Sequence, residues 1–177
     1  MLAYVFWHRP AAGTDPAAYE AGMRAFHAAL GRPGSVTFAI DGTPWDGGPP
    51  AYEDWYPVAD WADLGRLNEE AVSGARRAPH DAVAFRAAWG AGGVWKEVRP
   101  GVALADATHA TWFAKPPRIP DAAFVAGLPA SGAVWQRQMV LGPAPEYVLL
   151  AAGPLPAREL PDGAVTTRVR DIAHGDR

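Results

Sequence analysis

Cysteine is absent from the 177-residue sequence. Its absence excludes disulfide bonds, thiolate metal sites and a cysteine nucleophile. Basic charge is also scarce, because 16 Lys and Arg residues stand against 19 Asp and Glu, and the longest basic run is the pair Arg76-Arg77. A protein that binds nucleic acid needs a basic face to neutralise phosphates, so we expect no nucleic-acid partner.

Long apolar runs are missing as well. No stretch approaches the roughly 18 apolar residues of a membrane helix. The first apolar segment is followed by Arg9 rather than preceded by a basic residue, which is the reverse of a signal peptide. We therefore expect a cytoplasmic protein with no membrane partner.

Motifs for cofactors and metals are also lacking. No Walker or dinucleotide-binding glycine pattern follows a predicted strand. No pair of histidines has the spacing of a zinc site, and no cluster of Asp and Glu suits calcium. We therefore expect neither a metal nor a cofactor.

Aromatic residues are abundant, and they include eight Trp. Large aromatic side chains bury much apolar area, so they can anchor a core or line a pocket. Aromatic and β-branched residues also dominate residues 2–9, which we predict to be a strand. Asp15 before Pro16 is typical of a helix start, and apolar residues at helical spacing continue that helix to Gly31.

The rest of the first 101 residues follows a recognisable order. Strands are predicted at 36–40 and 52–59, and Asp60 caps a second helix. A further helical segment is predicted from Pro79 to about Trp89, a break at Gly92-Gly93, and a last strand at 94–98. The order β-α-β-β-α-β is that of a ferredoxin-like unit.

Residues 102–177 repeat several of these features in the same order. The strand end at residues 6–10 has a counterpart at 113–117, and the start of the first helix has one at 120–128. Three prolines between positions 154 and 162 exclude a regular helix there. We therefore predict an α+β fold of two ferredoxin-like repeats, 1–101 and 102–177, the second lacking its second helix.

The pattern Phe6-x-His8-x-Pro10, the helix end at residues 26–30 and the element order resemble the dimeric α/β-barrel superfamily. That group includes antibiotic-biosynthesis monooxygenase-like and EthD-like proteins. The resemblance implies that two ferredoxin-like units, here an internal duplication in one chain, pack their sheets into a barrel with a small-molecule pocket. Such a fold does not define a function by itself.

The alternation of residues along the strands suggests a site. On the first strand, Ala3, Val5 and Trp7 form an apolar face that suits packing beneath helices, whereas the opposite face mixes aromatic and ionisable groups, as pockets do. We predict His8 as catalytic acid/base with Asp54 as its orienter. The predicted substrate-binding residues are Tyr4, Phe6, Tyr56, Trp95, Phe113 and Lys115.

Three hypotheses on function follow. The first is a small-molecule-binding protein, either non-catalytic or a cofactor-independent monooxygenase or isomerase acting on a hydrophobic or aromatic metabolite. The second is a haem-binding or haem-degrading protein with His27 or His8 as the ligand. The third is a structural or interaction protein; sparse helical cover of the second half would be compatible with a homodimer.

Overall fold

Eight strands form a single sheet that closes on itself as a barrel. The computed structural model describes residues 1–43, 45, 48–138 and 144–175. Within them, the strands are β1 (Leu2–Pro10), β2 (Val36–Ile40), β3 (Ala51–Val58), β4 (Ala87–Arg99), β5 (His109–Phe113), β6 (Ala133–Arg137), β7 (Tyr147–Ala151) and β8 (Val165–His174). Four α-helices accompany them in the same residues: α1 (Pro16–Leu30), α2 (Trp61–Ala71), α3 (Arg77–Ala84) and α4 (Asp121–Gly127).

The barrel order is β1-β3-β2-β8-β5-β7-β6-β4, and β4 pairs with β1 to close it. All eight pairs are antiparallel. Closure gives every strand a neighbour on both sides, which limits the exposed sheet edge at which aggregation can start. None of the helices in the described residues combines the length and the apolar character needed to cross a membrane.

The predicted fold class is wrong. We expected two ferredoxin-like repeats, whereas the structure is one closed antiparallel β-barrel with few helices. The pairs β2–β8 and β4–β6 join the strands of residues 1–101 to those of residues 102–177, so that all eight belong to one continuous sheet. Alternation of residues along a strand reports which side chains share a face, but it does not report which strand lies beside it.

Helix α1 begins and ends where the sequence predicts. The Asp15 side chain accepts hydrogen bonds from the backbone N–H groups of Ala17 and Ala18, and Pro16 is the first helical residue. Gly31 ends the helix in the left-handed region, with φ of 60°, where glycine is favoured. These caps fix the inward face of α1 against the sheet.

The segment before β4 differs from the prediction. Helix α3 ends at Ala84, and β4 begins at Ala87, so Trp89 and the pair Gly92-Gly93 lie within a strand of 13 residues. This strand pairs with β1 along nearly its whole length. The long ladder outweighs the low strand propensity of glycine.

The barrel interior is filled by side chains from all eight strands. Ala3, Val5 and Trp7 point into it, so the prediction that this face packs beneath helices is wrong. Five tryptophans there are at most 1% exposed: Trp7, Trp55, Trp95, Trp112 and Trp135. Several meet edge to face, with ring centroids 5.3 to 6.0 Å apart, an arrangement that adds to their burial energy.

A carboxylate lies among these rings. Glu53 is fully buried, and its two oxygens accept hydrogen bonds from Trp7 Nε1 at 2.7 Å and Trp55 Nε1 at 2.5 Å. Burial raises the pKa of Glu53 from an ordinary value of 4.5 to about 7, and the two indole hydrogen bonds limit the rise. The folded protein therefore binds a proton at Glu53 more tightly than the unfolded chain does.

We expect this linkage to make stability depend on pH. A raised pKa means that the free energy of unfolding falls as pH rises from about 4.5 to about 7, where Glu53 must ionise inside the barrel. Glu53→Gln cannot ionise, so the variant should gain about 2–3 kcal/mol relative to the wild type between about pH 5 and pH 8. Chemical denaturation at several pH values measures the difference.

The matched control is Glu69→Gln, the same change at an exposed position of α2. Its stability should follow that of the wild type at every pH. If Glu53→Gln also follows the wild type, Glu53 does not carry the proton.

Candidate functional site

A cavity of about 790 Å³ lies between the outer face of the barrel and helices α1, α2 and α3. Its floor comes from β1, β2, β3 and β4, and its walls come from the helices, with apolar residues such as Met23 and Leu64. Trp61 and Val72 also line it and are 49% and 47% exposed, so the cavity reaches the surface beside α2. This volume falls within the range of small-molecule sites.

The floor carries a buried histidine beside a carboxylate. His8 is 2% exposed, and its Nδ1 atom is 2.7 Å from the hydroxyl of Tyr19 on α1. Its Nε2 atom lies 3.3 Å from Asp54 Oδ2, outside hydrogen-bonding geometry. A lone pair on Nε2 would be repelled by the carboxylate at this distance, so we infer that Nε2 carries a proton.

Asp54 is held by two hydroxyl donors. Thr37 Oγ1 donates to Asp54 Oδ1 at 2.6 Å, and the Tyr56 hydroxyl donates to Oδ2 at 3.1 Å. Burial alone would raise the pKa of Asp54, but the neighbouring His8 and His27 and the Thr37 hydrogen bond lower it overall. Asp54 is therefore a carboxylate at neutral pH, which is unusual for a group so well buried.

A second histidine joins the cluster through Thr37. His27 Nε2 is 2.8 Å from Thr37 Oγ1, and His27 Nδ1 is 3.0 Å from Ser35 Oγ. Because the Thr37 hydroxyl already donates to Asp54, His27 Nε2 must be the donor in its contact with Thr37. Burial lowers the pKa of His27, which favours the neutral imidazole with its proton on Nε2.

Flat aromatic rings cover the floor, and we name them the aromatic platform: Tyr4, Phe6, His8, Tyr56 and His27. Neighbouring rings are within 20° of parallel, with centroids 5.3 to 6.4 Å apart. Glycines on β4 leave room for them. A Cβ atom at Gly90 would lie 2.5 Å from the Phe6 ring, and one at Gly92 would lie 2.7 Å from the Tyr4 hydroxyl.

The structure brings five of the eight predicted site residues together. Tyr4, Phe6, His8, Asp54 and Tyr56 all line the cavity, because β1 and β3 pair directly and the Phe6 and Asp54 backbones lie opposite each other. Their catalytic and binding roles stay predictions.

The other three predicted residues lie elsewhere. Trp95 points into the barrel interior. Phe113 packs in a separate cluster with Phe124 of α4. Lys115 donates to the Ile119 backbone carbonyl and pairs with Asp121 at 3.4 Å. The face assignment placed them near His8, and the closed barrel separates them.

Tyr19 and Thr37 are site residues that the sequence prediction did not include. The sequence does indicate a buried position for Tyr19, since this residue belongs to the inward face of the predicted first helix. Thr37 is the one hydroxyl residue within an otherwise apolar strand, β2. A buried polar residue in such a strand needs a hydrogen-bond partner, and that requirement could have pointed to Asp54.

The site offers little to a metal or to haem. No group of three or more potential metal-ligating residues occurs in the described part of the chain. Both nitrogens of His27 take part in hydrogen bonds, and the residue is 1% exposed, so it has no free atom for iron. In His8, Nδ1 is in contact with the Tyr19 hydroxyl and Nε2 carries a proton, so neither nitrogen offers iron a lone pair.

Comparisons with known proteins returned no relatives. No protein-family model matches the chain, and neither a curated protein nor a solved structure is significantly similar to it. The resemblance to antibiotic-biosynthesis monooxygenase-like and EthD-like proteins therefore has no support, and the fold described above contradicts it. Function has to be argued from the cavity.

The ring positions in the aromatic platform depend on the β4 glycines, and a substitution at Gly92 tests this dependence. Gly92→Ala would place a methyl group against Tyr4, so the ring must tilt or the strand must move. We expect a loss of roughly 1–3 kcal/mol in the free energy of unfolding. Urea denaturation measures it, and Gly153→Ala is the control because no atom lies within 4 Å of its added Cβ. Equal stability of the two variants would show that Tyr4 does not lie over Gly92.

Proposed function

We propose that this protein binds a hydrophobic small molecule in the cavity and that His8 exchanges a proton with it. One observation carries the proposal: an apolar chamber of about 790 Å³ ends in a buried His8–Asp54 pair. Ionisable groups are costly to bury, and their presence at the floor of a cavity is typical of functional sites.

The roles of the residues follow from their contacts. Asp54 lies beside Nε2 of the His8 imidazole, and Tyr19 fixes the orientation of the ring through Nδ1. The Nε2–H group of His8 is buried and has no hydrogen-bond partner in the described residues, so an acceptor atom on a ligand would supply the missing hydrogen bond. After giving up this proton, His8 can take one back, which makes it an acid/base residue.

The reaction class that fits these groups is proton transfer to and from carbon without a cofactor. An isomerisation needs an acid at an oxygen atom and a base at a neighbouring C–H group. In the His8–Asp54 pair, the N–H group of His8 can be the acid and the carboxylate of Asp54 can be the base. Cofactor-independent monooxygenation also begins with removal of a proton from the substrate. We favour the isomerase, because His8 starts as a proton donor.

Occupancy of the cavity can be tested with N-phenyl-1-naphthylamine, an apolar dye that fluoresces when it leaves water. The wild type should bind it, and Leu64→Trp should weaken binding about tenfold or more, because the larger ring occupies the chamber. Fluorescence titration gives both affinities.

Leu155→Trp is the matched control, since Leu155 packs against the cluster that contains Phe113 and Tyr147, away from the cavity. It should bind the dye as the wild type does. If Leu64→Trp binds the dye equally well, the dye lies elsewhere and the proposed site is wrong.

Proton transfer can be tested with 2-tetralone, a ketone with acidic C–H groups. In deuterated water the wild type should speed deuterium uptake into the ketone, as measured by proton NMR. His8→Gln should reduce this acceleration about 100-fold or more, as expected for loss of a general acid. His109→Gln, on β5, should leave it unchanged. Equal rates for wild type and His8→Gln contradict the acid/base role and leave ligand binding unaffected.

A further inference from the structure

The charges around the cavity limit what can bind. Neither Lys nor Arg is present among the described residues that line it. Asp54 is a carboxylate, and the imidazole of His8 lies 3.3 Å from it. A ligand carboxylate or phosphate would therefore meet the charge of Asp54 with no Lys or Arg of the described lining to pair with it.

The hydrogen-bonding groups at the floor limit it further. Asp54 already accepts from Thr37 and Tyr56. His8 Nε2 is the polar atom that has a proton and lacks an acceptor in good geometry. A buried donor without an acceptor costs free energy, which an acceptor oxygen on the ligand would recover.

The platform selects for shape. Its rings lie nearly parallel, and the β4 glycines keep the floor flat by leaving the space under Tyr4 and Phe6 free of side chains. A planar ring lies on such a floor with more contact than a branched aliphatic chain does, and aromatic rings prefer offset stacking. Flatness and the donor at His8 are independent features of the same chamber.

We propose that the ligand is a planar aromatic molecule with a neutral carbonyl group, whose oxygen accepts a hydrogen bond from His8 Nε2 while Asp54 repels carboxylates of the same shape. The proposal rests on the proposed function, because it assigns a ligand class to that cavity. It goes beyond that function in stating which polar group the site accepts and which it rejects.

Three probes of nearly equal shape test it: 2-acetylnaphthalene, 2-naphthoate and 2-isopropenylnaphthalene. They share a naphthalene ring and differ in carrying a ketone, a carboxylate and a hydrocarbon group. Calorimetric titration of the full chain at neutral pH should show that the ketone binds about tenfold or more tightly than either of the others.

Two variants separate the effect of the His8 hydrogen bond from the effect of the Asp54 charge. His8→Leu should bring the affinity for the ketone down to that for the hydrocarbon and leave the hydrocarbon unchanged. Asp54→Asn should strengthen binding of 2-naphthoate about tenfold or more, because the repelling charge is gone. Asp162→Asn makes the same change at an exposed position and should alter nothing. Circular dichroism verifies that each variant folds, and the wild-type series decides the question if one does not.

The outcomes distinguish this proposal from the one on which it rests. Equal affinities for all three probes, or tightest binding of 2-naphthoate, would overturn the assignment of a neutral carbonyl and leave the cavity as a small-molecule site. Binding of none of the probes, together with no binding of the naphthylamine dye, would overturn both.

Discussion

Burial of β3 on both faces is the constraint on which the rest of the structure depends. Of its eight residues, seven are buried. One face lies in the barrel interior and the other beneath the helices. Glu53 and Asp54 are neighbours in this strand, so one carboxyl group points to each side. Each of these carboxyl groups needs hydrogen-bond donors, since burying an unpaired carboxylate would cost more free energy than the net stability of most domains.

The two sides meet this requirement by different chemistry. In the barrel, burial raises the proton affinity of Glu53, and the indole N–H groups that donate to it limit the rise. Outside, hydroxyl groups and an imidazole surround Asp54, which keeps its charge. The first arrangement stores a proton in a closed core. The second places a carboxylate beside an imidazole at the floor of a cavity that opens to the surface.

The filled interior explains where the cavity lies. Five buried tryptophan rings occupy the barrel interior, and the cavity lies outside the barrel, under the helices. The sequence predicted that the mixed face of β1 lines a pocket, and the cavity does lie on that face. It also predicted that the apolar face packs beneath helices, and this was wrong, because a barrel interior is as apolar as the underside of a helix. Composition alone does not separate the two environments.

Local features were the most predictable. The Asp15 and Gly31 caps act over a few residues, so their signals are complete within the sequence. The meeting of His8 with Asp54 could also be predicted, since it needs only the pairing of β1 with β3. The strand pairs that close the barrel could not be predicted, because β2–β8 and β4–β6 pairing joins residues 35 or more positions apart with no marker in either strand. Glu53 was missed for the same reason, as its donors depend on which face closes inward.

The placement of the tryptophans gives the molecule two separate sets of intrinsic fluorophores. Inside the barrel, the ring centroids of Trp7, Trp95 and Trp112 lie 5.3 to 6.0 Å apart, and those of Trp55 and Trp135 lie 5.3 Å apart. Excitation can pass between rings at these distances, and the sheet separates them from the cavity. Trp61, by contrast, stands at the cavity entrance and is half exposed. Ultraviolet light absorbed by the protein therefore yields a core signal that reports on folding and a rim signal that reports on what enters the chamber.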